Sequence, residues 1–378
     1  MTNKDGYGSH ASVDSHGSRM AKMRLRAIIG VHASDASAAV SSESSESFGV
    51  HVKTEPSEFG VAVGLVVDDV AWVLVTDRHV RSLGPALMWA LRNKAKALKL
   101  FSPEGAGDLA RIATHFDFAI EVFDVDVAGA ARVAAPKIVE KIEVSVADEM
   151  FAEFIRSAGA DVVREHGVIS GEVCGLEVCR VVHTVGTRAN GDRAVGELNG
   201  ASEANSASEA NCASELEIGV GAHDRETFKL LHGQTATTES LRKVVAEVAA
   251  RRVAGAQVHP LNQLARERML RHLVCRSPQL VGAKSLQAAQ PPIARTNLKD
   301  VVPCCAVGEA ETGEKLVVVF SVGVDPDVVS YGADARGQLN SSAELIFVMP
   351  TRDIVPAVER VAQMLRRPAR FIGLDAIA

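Results

Sequence analysis

Residues 61–76 read VAVGLVVDDVAWVLVT, and the two apolar runs inside them, Val61–Val67 and Ala71–Thr76, decide the class of fold. Branched aliphatics at this density favour strands, and each run is far shorter than the roughly 18 residues needed to cross a bilayer. The pattern then changes period. A helix is expected over Ser82–Asn93, with Leu83, Leu87 and Leu91 on one face and a basic last turn of Arg92, Lys94 and Lys96 that suits the helix dipole. A strand over Ala97–Phe101, a helix over Gly105–His115 and a strand over Ala119–Asp124 follow. Elements that alternate in this way build a parallel sheet with crossover helices.

At 378 residues the chain exceeds what one core usually supports, so more than one folded part is expected. Residues 1–59 carry the Ser- and Glu-rich run Ser41–Ser47 and bury too little apolar area to offset their ordering entropy, so they read as a disordered tail. The expected organisation is α/β throughout. An N-terminal parallel-sheet unit occupies 60–135, a middle α+β segment 136–236, and a C-terminal α/β unit 237–378. Within the middle segment, 196–215 is a low-complexity insertion in which Ala201–Ser206 is repeated almost unchanged at Ala207–Cys212, and it reads as a tolerated loop. Lys22, Arg24 and Arg26 precede Ala27–Val31, but that apolar stretch is shorter than the roughly 7–15 residues of a signal peptide. A cytoplasmic protein without a membrane span is the expectation.

The cysteines lack paired spacing for zinc, and Cys174 and Cys179 would face opposite sides of one strand, so they read as small buried hydrophobes. Charge is unevenly distributed. Residues 196–226 hold seven acidic side chains against one Arg, and 251–299 hold nine Lys or Arg against Glu267 alone. The second stretch is either a solvated surface or a phosphate-binding one.

The C-terminal part is expected to run from a helix ending near Cys275, through a strand over Val301–Val307, a turn at Glu311-Thr312-Gly313 and a strand over Lys315–Val322, to a helix over Val328–Leu339, a strand over Glu344–Val348 and a helix over Ile354–Arg366. With Leu264–Leu270 on the first helix, Pro278–Gly282 after it, Leu298-Lys299-Asp300, and Leu316–Val322, this order resembles the core of the restriction-endonuclease-like, PD-(D/E)XK, nucleases. The resemblance spans Leu264–Leu374. It implies Glu267 and Asp300 as remnant catalytic carboxylates, Mg²⁺ as the cofactor wherever the chemistry is retained, and DNA or RNA as the partner, since a metal must neutralise charge in phosphodiester hydrolysis. Where E-x-K belongs, however, the chain has Phe320-Ser321-Val322. The resemblance thus implies lost nuclease chemistry. Arg266, Arg268, Arg271 and Arg276 become candidates for a phosphate-contacting face, or else ordinary helix-surface charges.

A second constellation lies in the middle segment. Glu177 and Glu217 fall on successive strands with Glu153 on the preceding helix, a set of hard oxygen ligands for a divalent cation, although Gly219 stands where a lysine would be needed. This order loosely repeats that of the C-terminal part, as two diverged copies of one fold would. His223-Asp224 are neighbours and make no dyad by themselves. Thr76–His79 lies at the carboxyl edge of the first sheet, where open sheets bind ligands, and Gly105-Ala106-Gly107 lacks the remaining glycine and lysine of a phosphate loop. The leading expectation is a nucleic-acid-associated protein with an inactive nuclease-like C-terminal unit. A small-molecule or metal-binding enzyme using the first sheet edge or the Glu177 and Glu217 cluster, and a structural or regulatory interaction protein, are the alternatives.

Overall fold

The computed structural model describes residues 10–40, 55–76, 81–126, 128–185, 212–232, 237–252 and 259–375. The chain is an α/β protein that divides into two compact units, one of 1–140, 274–287 and 302–378, the other of 141–273 and 288–301. This division is discontinuous, unlike the consecutive segments read from the sequence. Among the described residues no helix is long and apolar enough to cross a membrane.

The larger unit begins with α1 (His10–Val40), inside the stretch read as a disordered tail. Leu25, Ile28 and Ile29 recur at helical spacing and are buried against Val63, Leu65, Trp72, Leu74, Phe101 and Phe123. Those residues belong to a six-stranded sheet of β1 (Ser57–Phe59), β2 (Ala62–Val67), β3 (Val70–Val75), β4 (Ala97–Ser102), β5 (Ala119–Val125) and β6 (Ala131–Val133), in that order. Asp68 and Asp69, both with positive φ (50° and 64°), fold β3 back on β2 as a tight hairpin. The crossovers through α2 (Leu83–Arg92) and α3 (Ala106–Ala113) then make β3, β4 and β5 parallel, as the alternation of periods predicts. Trp72 stacks on Phe101 and Phe101 on Phe123 (ring centroids 5.7 and 4.7 Å apart), so one aromatic row crosses the three parallel strands.

The smaller unit holds α4 (Met150–Ser157), a four-stranded antiparallel sheet of β7 (Asp161–Glu165), β8 (Val168–Val173), β9 (Leu176–Val185) and β10 (Cys212–Ile218), then α5 (Ala222–His232), α6 (Thr238–Arg251) and α7 (Arg266–Arg276), whose last residues belong to the larger unit. Ile155 of α4 and Leu241 and Val248 of α6 join Ile169, Val178 and Leu216 in its core. A single helix from Pro260 to Cys275 does not form. Residues 260–263 make a short 3₁₀ turn, and Ala265 at φ 49° breaks the chain before α7 starts. The tandem repeat at 201–212 and Asp77–His79 lie outside the described residues, save for Cys212 at the start of β10.

The chain returns to the larger unit with β11 (Ala283–Ala289), β12 (Cys304–Ala310), β13 (Lys315–Phe320), α8 (Val328–Leu339), β14 (Glu344–Met349), α9 (Pro356–Ala362) and β15 (Ala369–Gly373), whose strands form a five-stranded sheet in sequence order. The internal repetition is between this sheet and the first one. In both, an antiparallel hairpin is followed by two parallel strands and two crossover helices. The helices pack reciprocally, α2 on α9 and α3 on α8. Phe116, just past α3, forms an antiparallel bridge with Leu365, just past α9, and the flanking hydrogen bonds are exchanged: Asp117 N to Met364 O (2.7 Å) and Arg366 N to His115 O (3.0 Å). Arg111 of α3 clamps Asp334 of α8 through two nitrogens (2.9 and 3.0 Å). Phe116 is fully buried at this junction. Phe116→Ala is expected to lower the unfolding free energy by about 3–5 kcal/mol, read from the midpoint of urea denaturation, through lost burial and the cavity left behind.

Candidate functional site

The chemistry-bearing side chains of the smaller unit gather where α7 meets the β7–β8–β9 meander. Asp161, Glu172 and Glu177 lie opposite one another on three successive strands. Each meets a cation. Arg268, Arg271 and His272 stand at i, i+3 and i+4 on α7 and so share one face of it. Arg268 pairs with both Glu165 and Glu172, and Arg271 pairs with both as well, at 2.8 Å to Glu165 and 2.9 Å to Glu172. The result is a closed ring of two guanidinium and two carboxylate groups, in which Arg271 is only 2 % exposed. Burial acts to raise the Glu165 carboxyl, but the charges of Arg271 and Arg268 outweigh it and hold it at about 2.

Beside this ring runs a second chain of bonds. Cys174 and Gly175, both with positive φ (47° and 78°), form the two-residue turn between β8 and β9. Such a turn favours Asn, Asp or Gly, and holding a residue with a Cβ there costs about 1–2 kcal/mol. Gly175 cannot be replaced cheaply either, because a Cβ on it would lie 2.3 Å from the Arg268 carbonyl carbon of α7. The turn therefore presses directly on the helix that carries His272. The His272 ring bonds Asp161 Oδ2 through Nδ1 (2.8 Å), and the Cys174 side chain lies beside it. These two contacts, Asp161 first, raise the imidazole to about 9 against partial burial. Thiol, imidazolium and carboxylate thus stand in a row, the arrangement in which a positive imidazole can stabilise negative charge on a sulfur nucleophile while an anion orients the imidazole. Cys174 is half-buried, whereas Cys179 is fully buried and its thiol is pushed up to about 12 by burial, which makes it inert.

Arg252, at the end of α6, completes the neighbourhood by donating to the Cys174 carbonyl through Nε (3.2 Å) and a terminal nitrogen (3.1 Å). It also donates to the carbonyls of Leu261 and Leu264. Those two residues line a cleft of about 830 Å³, together with Phe228, Val244, Val248 and His259. No family model, curated protein or solved structure matches this chain.

The residues singled out in the sequence are placed differently. Of the four arginines, Arg268 and Arg271 turn inward to the ring, Arg266 is half-buried and Arg276 is exposed, so they form no common phosphate-facing surface. Glu267 is 4 % exposed, with its carboxyl raised by burial. Asp300 does not begin a strand. Its carboxylate accepts from the Thr296 hydroxyl and from Asn297 N (3.1 Å) and Nδ2 (2.6 Å) on a surface turn. The positions that the nuclease resemblance would gather are also split, Glu267 and Asp300 falling in the smaller unit and Phe320–Val322 in the larger. Glu177 and Glu217 do come together, around Arg225 rather than a metal: its nitrogens lie 2.9 Å from Glu177 and 3.4 Å from Glu217. Among the described residues, no group of three or more His, Cys, Asp and Glu side chains is arranged to hold a metal ion. Asp224 serves a local role, accepting from Val220 N (2.7 Å).

Cys174, His272 and Asp161 were not legible as a set, because they are far apart in sequence and only the pairing of β7, β8 and α7 joins them. The one local signal is a Cys-Gly pair between strand-forming runs, at a turn that calls for a different residue type.

Two outcomes test this geometry. The folded state holds the His272 proton to about 9 while the unfolded chain releases it near 6.5, so the stabilisation is full below 6.5 and is lost as pH rises through 9. Denaturant midpoints measured across that window should fall with pH, and Asp161→Asn should flatten the slope. Arg271→Met, which leaves Glu165 and Glu172 to share the single Arg268 guanidinium in the interior, should cost about 3–5 kcal/mol in the same measurement.

Proposed function

We propose that this chain is an enzyme that uses Cys174 as a nucleophile, with His272 as the imidazolium that holds the proton given to the leaving group and Asp161 as the group that orients and stabilises that imidazolium. The single observation that supports this most is a thiol held at a left-handed tight turn beside an imidazole that is itself bonded to a carboxylate. Backbone held in a sparsely populated conformation is found preferentially at active sites, where it fixes a reacting group. The reaction class that suits the set is acyl transfer or hydrolysis. The sulfur attacks a carbonyl carbon, the proton held by His272 passes to the leaving group, and water releases the acyl group from sulfur. The adjoining cleft, lined by Phe228, Val244 and Leu261 and by polar groups such as Ser240, Lys243 and His259, is of a size that accepts a small-molecule acyl or leaving group.

A nucleic-acid-associated role has less support, since two of the four candidate arginines are buried in ion pairs with Glu165 and Glu172. Arg266 and Arg276 are what would carry it.

The test is direct. The full chain is treated briefly with iodoacetamide at neutral pH and the modified peptides are mapped, after which p-nitrophenyl esters of increasing chain length are offered as substrates. Cys174 is expected to be alkylated first, His272→Ala to slow that reaction by about 10²-fold or more, and Cys174→Ala to abolish ester turnover. Cys174 reacting no faster than Cys275, with ester turnover unaffected by its removal, would refute the reading.

A further inference from the structure

We infer that Arg252 is a positioning residue for Cys174: its buried guanidinium holds the turn that carries the thiol and places a positive charge behind it. The inference rests on the thiol-nucleophile reading above and extends it to how the nucleophile is held.

Arg252 is 2 % exposed, yet the partners its side chain engages are the carbonyl oxygens of Cys174, Leu261 and Leu264, which carry no charge to answer it. A buried cation served only by carbonyl dipoles is costly unless an anion stands near. Burial pulls the guanidinium below its ordinary range. Glu172 is already matched by Arg268 and Arg271 in the ring, so the Arg252 guanidinium is directed by its bonds to the Cys174 turn. A positive charge behind the turn favours negative charge that develops on the sulfur as it reacts. The two bonds to the Cys174 carbonyl act on the turn itself, fixing the peptide plane of a residue held at φ 47°. Because the third and fourth bonds reach Leu261 and Leu264, the same guanidinium ties the wall of the cleft to the nucleophile. The other charged groups around the turn are His272 and Arg268 on α7, Asp161 on β7, Glu172 on β8 and Arg295, whose charge Arg252 feels.

The experiment measures the rate of Cys174 alkylation by iodoacetamide from about pH 5 to about pH 9.5 in the full-length chain, with peptide mapping to separate Cys174 from Cys275. Arg252→Met is expected to slow the reaction at neutral pH by about tenfold or more and to move its rise to higher pH, with Arg252→Lys recovering part of the loss and the Cys275 rate unchanged. If Arg252→Met keeps the wild-type profile while His272→Ala loses it, the role of Arg252 is refuted and the nucleophile reading stands. If both keep the wild-type profile, both are refuted. Should Arg252→Met lose its helical circular dichroism, Arg252→Lys decides alone: a rate roughly threefold or more below wild type supports the inference, and an unchanged rate overturns it.

Discussion

The ring of Arg268, Arg271, Glu165 and Glu172 is the interaction on which the smaller unit depends. Two guanidinium groups and two carboxylates, each touching both of the opposite sign, neutralise one another inside a space from which water is largely excluded. Such a ring adds little to stability relative to an apolar core of the same shape, but it tolerates few alternative arrangements, because any sliding or rotation of α7 strands a charge. That constraint fixes which face of α7 meets the meander. His272, next to Arg271, is then delivered to Asp161 and to the Cys174 turn without choice. The close approach of Gly175 to the Arg268 backbone is the steric counterpart of the same docking.

The larger unit is stabilised by different means. Its two sheets share a plan of hairpin, helix, strand, helix, strand, and the four helices that accompany them pack crosswise on each other. At the junction the contacts are exchanged in matching pairs, as the Phe116 and Leu365 bridge shows, so what each half lacks alone is supplied by the corresponding part of the other. The outer face of the first sheet is covered instead by α1, through Leu25, Ile28 and Ile29 against the aromatic row.

Elements were legible in the sequence wherever hydrophobic period and length agreed. The order from Ala62 to Val125 and the α8, β14 stretch follow from alternation of period alone, and the hairpin at 311–313 from its turn residues. Elements without such a signal were missed. β11 and β15 are half-exposed strands of mixed polarity, and β7 is too short and too charged to stand out. α1 was hidden by the Ser- and His-rich residues around a short apolar stripe. Arginines on α7 were read as surface because burial of Arg depends on partners that sequence does not place beside it. For the same reason Cys174 passed as a small hydrophobe: reactivity is decided by what lies across the fold, here His272 and Asp161.

The Phe116 and Leu365 bridge also bears on how the chain acquires its structure. The smaller unit is laid down between the two halves of the larger one, so during synthesis the first sheet emerges well before the strands and helices that must cover its helices. Contacts of such long sequence separation form slowly, because the intervening chain has to be closed as a loop. Until the second half arrives, α2 and α3 present uncovered apolar surface, and the interval between those two events is when the chain is most open to chaperones or to pairing with another copy of itself.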